Sequence, residues 1–225
     1  DHRDLHLSIR RQRQMCIRDR FLVVLVDMIG FTIVIPFLTY FVQDLATADG
    51  ITDVGSRDLW VGIVISVYSL DQFIFTPILG SLSDRMGRRP ILMLGLLSNT
   101  VFFTVFGLSG SLTMAVAARF LAGAGNGNIA VARAYIGDIS EPEDVAKRMG
   151  MIGAAFGLGF MIGPFIGGVL SDPATGIGAP FDGQIWIDHP YLLPCLFSSA
   201  LSLISLALAV TRLPESLPEE DRRFS

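Results

Sequence analysis

The amino-acid sequence predicts an all-α polytopic membrane protein with six transmembrane helices. Three observations support this prediction. Of the 225 residues, 51% are hydrophobic and only 17% are charged, whereas a soluble domain is about 25% charged. Six runs are long and apolar enough to cross a bilayer, which takes about 20 residues. The few charged residues are sorted by sign between alternate loops.

The six apolar runs cover more than half of the chain. Helices of a soluble bundle show a polar stripe, but Asp27 is the only charged residue of the first run. This run also lacks the small-residue cleavage site of a signal peptide, and five more runs follow it. In chain order the runs are Phe21–Val42, Leu59–Leu79, Ile91–Ser109, Leu112–Ile136, Met149–Leu170 and Tyr191–Thr211.

The loops after the second, fourth and sixth runs are basic, and the opposite loops are acidic. Segments 43–58, 110–111 and 171–190 contain seven aspartates but only one basic residue, Arg57. Because arginine and lysine stay on the cytoplasmic side, we expect both ends of the six-helix unit to face the cytoplasm. The expected location is the plasma (inner) membrane, with the chain crossing it several times and the lipid bilayer as its solvent.

Composition argues against several other classes of protein. The net charge of −4 leaves no basic surface for nucleic acid. The two cysteines and three histidines are scattered, so no metal site is expected. No phosphate-binding loop or catalytic constellation is present. We therefore expect neither an enzyme nor a cofactor.

The two ends of the chain are set apart from the predicted helical unit, which spans residues 21–213. Residues 1–20 contain the string MCIRDR, which resembles a translated sequencing adapter; the alternative is a basic cytoplasmic tail. Residues 214–225 look like the start of a cytoplasmic linker. No function is assigned to either end.

The loop between the second and third runs, GSLSDRMGRRP, carries a dense pattern of glycines and charges. Gly80 favours close helix approach, Asp84 is placed to cap the next helix, and Gly87 permits a tight turn. Asp138 is expected to pair with Arg85 or Arg88 in a charge cluster that opens and closes with a gate. The loop residues of this cluster are Gly80, Asp84, Arg85, Gly87, Arg88 and Arg89.

This loop resembles the cytoplasmic-loop motif of the major facilitator superfamily, and the resemblance extends over residues 21–218. The first run, with Thr32 in place of a second glycine, is similar to that of tetracycline-type exporters. The fifth run matches the packing motif of the family's drug:proton antiporters through Gly163, Pro164, Gly167 and Gly168. The alternative is a packing face with no bearing on transport direction.

Several polar residues within the runs are candidates for transport, because charged groups in a membrane are costly unless they are paired or hydrated. Asp27 and Asp71 are candidate protonation sites. Arg119 resembles the arginine that the family's fourth-helix motif links to proton coupling. The alternative in each case is a polar group that neighbouring helices satisfy. The full set of cavity candidates is Asp27, Asp71, Arg119, Tyr68, Gln72 and Asn126.

The resemblance implies the N-terminal half of a major facilitator fold, built from two inverted three-helix repeats. It implies a secondary transporter that exports small drug-like organic molecules in exchange for protons by alternating access. A missing C-terminal half of the same carrier would then be the partner. The alternatives are a proton-coupled importer of a small metabolite and a non-transporting membrane protein.

Overall fold

The computed structural model describes residues 22–125, 128–138, 140–171 and 183–217. Within these ranges the chain forms helices and no strands, which confirms the predicted all-α fold class. Five helices are long and apolar enough to cross a membrane. They are α1 (Leu22–Ala48), α2 (Val54–Met86), α3 (Arg88–Gly107), α6 (Val145–Leu170) and α8 (Leu192–Arg212).

The fourth predicted run corresponds to two described helices, α4 (Leu112–Gly125) and α5 (Asn128–Asp138), on either side of residues 126–127. The short helix α7 (Gln184–Asp188) precedes α8. The structure therefore places a helix or helix pair at each of the six predicted runs.

Local chemistry explains where several helices begin. Asp53 caps α2 by accepting a hydrogen bond from the Ser56 backbone N–H at 2.8 Å. This bond lowers the pKa of the Asp53 carboxyl. The Asp49 carboxylate accepts a bond from the Leu112 N–H at the start of α4, also at 2.8 Å. Gly87 separates α2 from α3 with φ of 104°, a value that glycine adopts without steric cost.

The helix packing has the pattern expected of two three-helix repeats. Helix α3 packs along α8, α2 packs along α4, and α1 packs against α6. In terms of the six membrane-crossing segments, these contacts join segments 3 and 6, 2 and 4, and 1 and 5. Exchanging segments 1–3 with segments 4–6 converts the contact between 2 and 4 into that between 5 and 1, and leaves that between 3 and 6 unchanged. The last helix also contacts the first, since the Ser205 hydroxyl donates to the Val23 carbonyl at 3.3 Å.

The distribution of polar and apolar side chains is the reverse of that in a soluble protein. Phe73 on α2 is 80% exposed and Phe165 on α6 is 73% exposed. Charged and amide side chains, by contrast, are buried between the helices: Asp27, Asp71, Asn99 and Arg119. Large exposed apolar surfaces mark contact with membrane or with another protein, so this arrangement fits a bilayer.

Candidate functional site

Among the residues that the structure describes, three charged side chains are buried between the helices. Asp27 is 3% exposed, Asp71 is 4% exposed and Arg119 is 7% exposed. A charge in such a position is costly unless it is paired or reaches water. Their surroundings therefore indicate what each residue does.

Asp27 lies on α1 opposite Asn99 of α3. The Asn99 Nδ2 donates a hydrogen bond to Asp27 Oδ1 at 3.2 Å, and both side chains are buried. A cavity of about 20 Å³ borders Asp27 and is otherwise lined by apolar side chains, among them Leu96 of α3 and Ala132 of α5. It has the size of about one water molecule.

Asn99 is the partner of Asp27 and was not among the residues singled out from the sequence. An amide in the apolar third run is itself a signal, because amides in membrane helices pack against polar neighbours rather than lipid. The Asn99 Oδ1 has no hydrogen-bond partner among the described residues. The amide therefore holds the Asp27 carboxylate with one donor and keeps one acceptor free.

Asp71 lies at the contact between α2 and α4. Tyr68, Asp71 and Phe75 share one face of α2, on which Tyr68 and Asp71 are buried and Phe75 is half-buried. The reason is Gly123 of α4, whose missing side chain lets α4 approach: a Cβ there would lie 2.9 Å from Asp71 Cβ. Gln72 is half-buried beside them.

Arg119 points its guanidinium at two aromatic rings. Its Cζ lies 4.1 Å from the centre of the Tyr68 ring and 5.6 Å from that of Phe106. The Arg119 Nε has no hydrogen-bond partner within the described part of the chain. Asn126, the remaining predicted cavity residue, lies outside the described residues.

Arg88 organises the end of the bundle that carries the loop arginines, which we call the arginine end. Its Nε lies 3.1 Å from Asp138 Oδ2, so the predicted pairing of Asp138 is formed with Arg88. Its guanidinium also pairs with Asp84 and donates to the Ser83 hydroxyl at 2.7 Å. Arg85 is exposed in the last turn of α2.

The prediction that Asp84 caps α3 is wrong. Asp84 belongs to α2 and pairs with Arg88 through its side chain. Glu215, in the segment after α8, takes the capping role: it accepts from the backbone N–H of Arg88 at 2.8 Å and of Arg89 at 3.2 Å. Gly87 makes room for this carboxylate, since a Cβ there would lie 2.8 Å from Glu215 Cδ.

Arg89 ties the same end of the bundle to α8. Its guanidinium donates to the Val210 carbonyl at 2.6 Å, and the Tyr135 hydroxyl donates to the Pro214 carbonyl at 2.6 Å. Among the described residues, a Cβ at Gly80 would have no neighbour within 4 Å, so the expected close helix approach is not formed there.

The glycine motif of α6 packs against α1 through only part of its residues. A Cβ at Gly163 would lie 2.8 Å from Thr32 Cβ, and one at Gly167 would overlap the Ile33 carbonyl oxygen. Gly168 lies outside this contact, because a Cβ there would have no neighbour within 4 Å in the described part of the chain. Pro164 lies within α6 and does not end it.

Thr32 joins the same contact by a hydrogen bond. Its Oγ1 lies 2.7 Å from the Gly159 carbonyl oxygen of α6 and 2.9 Å from that of Met28 in α1. The threonine that replaces a glycine in the first helix therefore contacts the α6 backbone directly.

Comparison with known proteins agrees with this architecture. The family model of the Major Facilitator Superfamily matches residues 20–224. The class C tetracycline resistance protein of Escherichia coli is 37% identical over 158 residues, 70% of this chain and 38% of that protein. The protein ZINC INDUCED FACILITATOR 1 of Arabidopsis thaliana is 32% identical over 198 residues, 88% of this chain and 40% of that protein.

Among solved structures, the human organic anion transporter MFSD10 (TETRAN) superposes with a TM-score of 0.73 at 26% identity, covering 93% of this chain and 50% of that one. A proton:xylose symporter superposes with a TM-score of 0.74 at 15% identity, which shows the shared fold. The chain thus spans about two fifths of the curated relatives named above and half of the transporter structure. On the family match and the fold together, the chain belongs to the Major Facilitator Superfamily and has the architecture of the N-terminal half of one of its transporters.

Proposed function

We propose that the chain is half of a carrier that exports small drug-like organic molecules in exchange for protons, by alternating access. The observation that supports this most is Asp27, a carboxylate buried in a membrane-length helix and held by Asn99. Gaining a proton removes its charge, and in apolar surroundings this changes the free energy of the site by several kcal/mol. Such a group couples proton binding to conformation.

The arginine end supplies a gate in this proposal. Arg88 joins α2, α3 and α5 through Asp84 and Asp138, and Glu215 links α3 to the segment after α8. Opening the bundle at this end would have to break or move these charged contacts together. By the charge rule, this end faces the cytoplasm of the plasma (inner) membrane.

Export rather than import is favoured by the relatives. Tetracycline resistance proteins of classes C and B from Escherichia coli are 37% and 30% identical to the aligned part of the chain. The α6 glycine motif, which resembles that of drug:proton antiporters, forms a real contact with α1 through Gly163 and Gly167. We therefore propose a drug-like organic molecule and protons as the transported species.

A second six-helix half completes the carrier in this proposal. Helices α2 and α6 are the least buried of the membrane-length helices, with 22% of their most apolar windows buried against 50% for α1. The exposed apolar faces of these two helices are suited to contact with either lipid or a second half of the carrier. Sequencing the gene beyond the codon for Ser225 tests this: six further apolar runs are expected.

Transport in liposomes tests the proposal directly. The protein expressed from its complete reading frame is reconstituted, a pH gradient is imposed, and a panel of fluorescent organic cations is followed together with internal pH. Movement of substrate and protons in opposite directions is expected. Movement in the same direction would instead identify an importer. No gradient-dependent movement of any probe would leave the non-transporting membrane protein as the explanation.

A further inference from the structure

Two buried, oppositely charged side chains on adjoining helices are each left with an unsatisfied polar atom. Asp71 on α2 and Arg119 on α4 are both more than nine-tenths buried. Asp71 Oδ2 and Arg119 Nε have no hydrogen-bond partner among the described residues. An unsatisfied buried charge is among the costliest features that a folded protein retains. The presence of two such atoms on adjoining helices therefore needs a structural explanation.

The helices bring the two residues within reach of each other. Gly123 of α4 packs on α2 at Asp71 and Tyr68, with its Cβ position 2.9 Å from Asp71 Cβ and from the Tyr68 carbonyl oxygen. Arg119 precedes Gly123 by four residues, and such residues lie about 5–6 Å apart on one helix face. The Asp71 side chain thus lies about one turn along α4 from the Arg119 backbone, a distance that an extended arginine side chain spans.

In the described conformation, Arg119 lies over aromatic rings instead of facing Asp71. Its Cζ is 4.1 Å from the Tyr68 ring centre. A desolvated cation–π contact is favourable, but it leaves Asp71 Oδ2 without a partner among the described residues. A buried charge that lacks its partner strongly destabilises a fold. A rotation of the Arg119 side chain from Tyr68 to Asp71 would satisfy both unpaired atoms at once.

We propose that Asp71 is the counter-ion of Arg119, and that the protein has a second conformation in which Arg119 leaves the Tyr68 ring and pairs with the Asp71 carboxylate. The use of this pair during transport rests on the proposed function, but the pairing itself does not.

A double-mutant cycle tests the pairing with a folding readout, using the protein from its complete reading frame in detergent. The variants are Asp71→Asn, Arg119→Gln and the double variant, measured by monodisperse yield and thermal unfolding. Each single variant leaves one buried charge and is expected to lower the folded-to-unfolded ratio about 5–30-fold. The double variant is expected to recover most of this loss.

Asp27→Asn with Arg119→Gln is the matched control, because it also removes one charge of each sign but not the proposed pair. No recovery is expected there. Equal recovery of stability in both double variants would overturn the inference. So would stability losses that simply add in the Asp71 and Arg119 cycle.

Should single variants fail to fold, the exchanged variant Asp71→Arg with Arg119→Asp provides a second test. Monodisperse protein from this exchange, where Asp71→Arg alone gives none, supports the pair, and equal failure of both contradicts it. Because the readout is folding, the experiment tests the pairing of Asp71 with Arg119 even if the protein exports nothing.

Discussion

Glu215 accepts a hydrogen bond from the backbone N–H of Arg88 at 2.8 Å, and so joins the segment after α8 to the first turn of α3. The two residues are 127 positions apart in the sequence. The same carboxylate also accepts from the backbone N–H groups of Ser216 at 3.0 Å and Leu217 at 3.2 Å. The Glu215 carboxylate thus fixes both the first turn of α3 and the path of the chain after α8.

Replacing Glu215 by alanine is expected to weaken this end of the bundle. Loss of a helix cap costs about 1 kcal/mol, so the midpoint of thermal unfolding in detergent should fall by a few degrees. Asp84→Ala is the comparison, because its side chain is 37% exposed and exposed ion pairs contribute about 0–1 kcal/mol. A loss for Glu215→Ala no larger than that for Asp84→Ala would contradict the capping role of Glu215.

The α6 glycines allow a matched test of the contact with α1. Gly167→Ala would drive a methyl group into the Ile33 carbonyl oxygen and should cost about 1–3 kcal/mol. Gly168→Ala, with no neighbour within 4 Å, should leave stability unchanged or raise it by up to about 1 kcal/mol, since alanine favours helix. Equal thermal midpoints for the two variants would contradict the described packing.

The Thr32 hydroxyl should stabilise the same contact. Hydrogen bonds between membrane helices contribute about 0.6 kcal/mol on average, so Thr32→Val should lower unfolding stability by about that amount. Thr32→Ser keeps the hydroxyl that lies 2.7 Å from the Gly159 carbonyl oxygen, and most of the stability should remain. A valine variant as stable as the wild type would contradict a contribution from the hydroxyl.

The Asp53 cap predicts a pH dependence at the start of α2. The bond from the Ser56 N–H lowers the pKa of this carboxyl, so the charged form is favoured by folding. Its contribution is therefore present above the unfolded value of about 3.9 and is lost as the pH falls through the lowered folded value. The difference in thermal midpoint between the wild type and Asp53→Ala should shrink below pH about 4.

Asp53→Asn is the control for this pH dependence. An asparagine cap carries no charge, so its advantage over alanine should persist at low pH. A wild-type advantage over Asp53→Ala that does not change with pH would contradict the assignment of the cap to a charged carboxylate.

Much of the fold follows from sequence because it depends on local composition. In its described residues each of the six apolar runs is helical, and charge and loop position predict that Asp138 pairs with Arg85 or Arg88, of which the structure forms the pair with Arg88. The Glu215 cap was not predicted, because it depends on the path of a distant segment that no local pattern encodes. The burial of Asp71 depends on Gly123 of a neighbouring helix, which the sequence of α2 alone does not reveal.

Whether protonation of Asp27 drives exchange is tested directly by comparing wild type and Asp27→Asn in proteoliposomes under a pH gradient. The asparagine keeps the volume and the contact with Asn99 but binds no proton. Wild-type protein should move organic cations against protons, and the variant should fold with a similar thermal midpoint while gradient-driven movement falls to background. Undiminished gradient-driven movement in a folded Asp27→Asn protein would contradict the account.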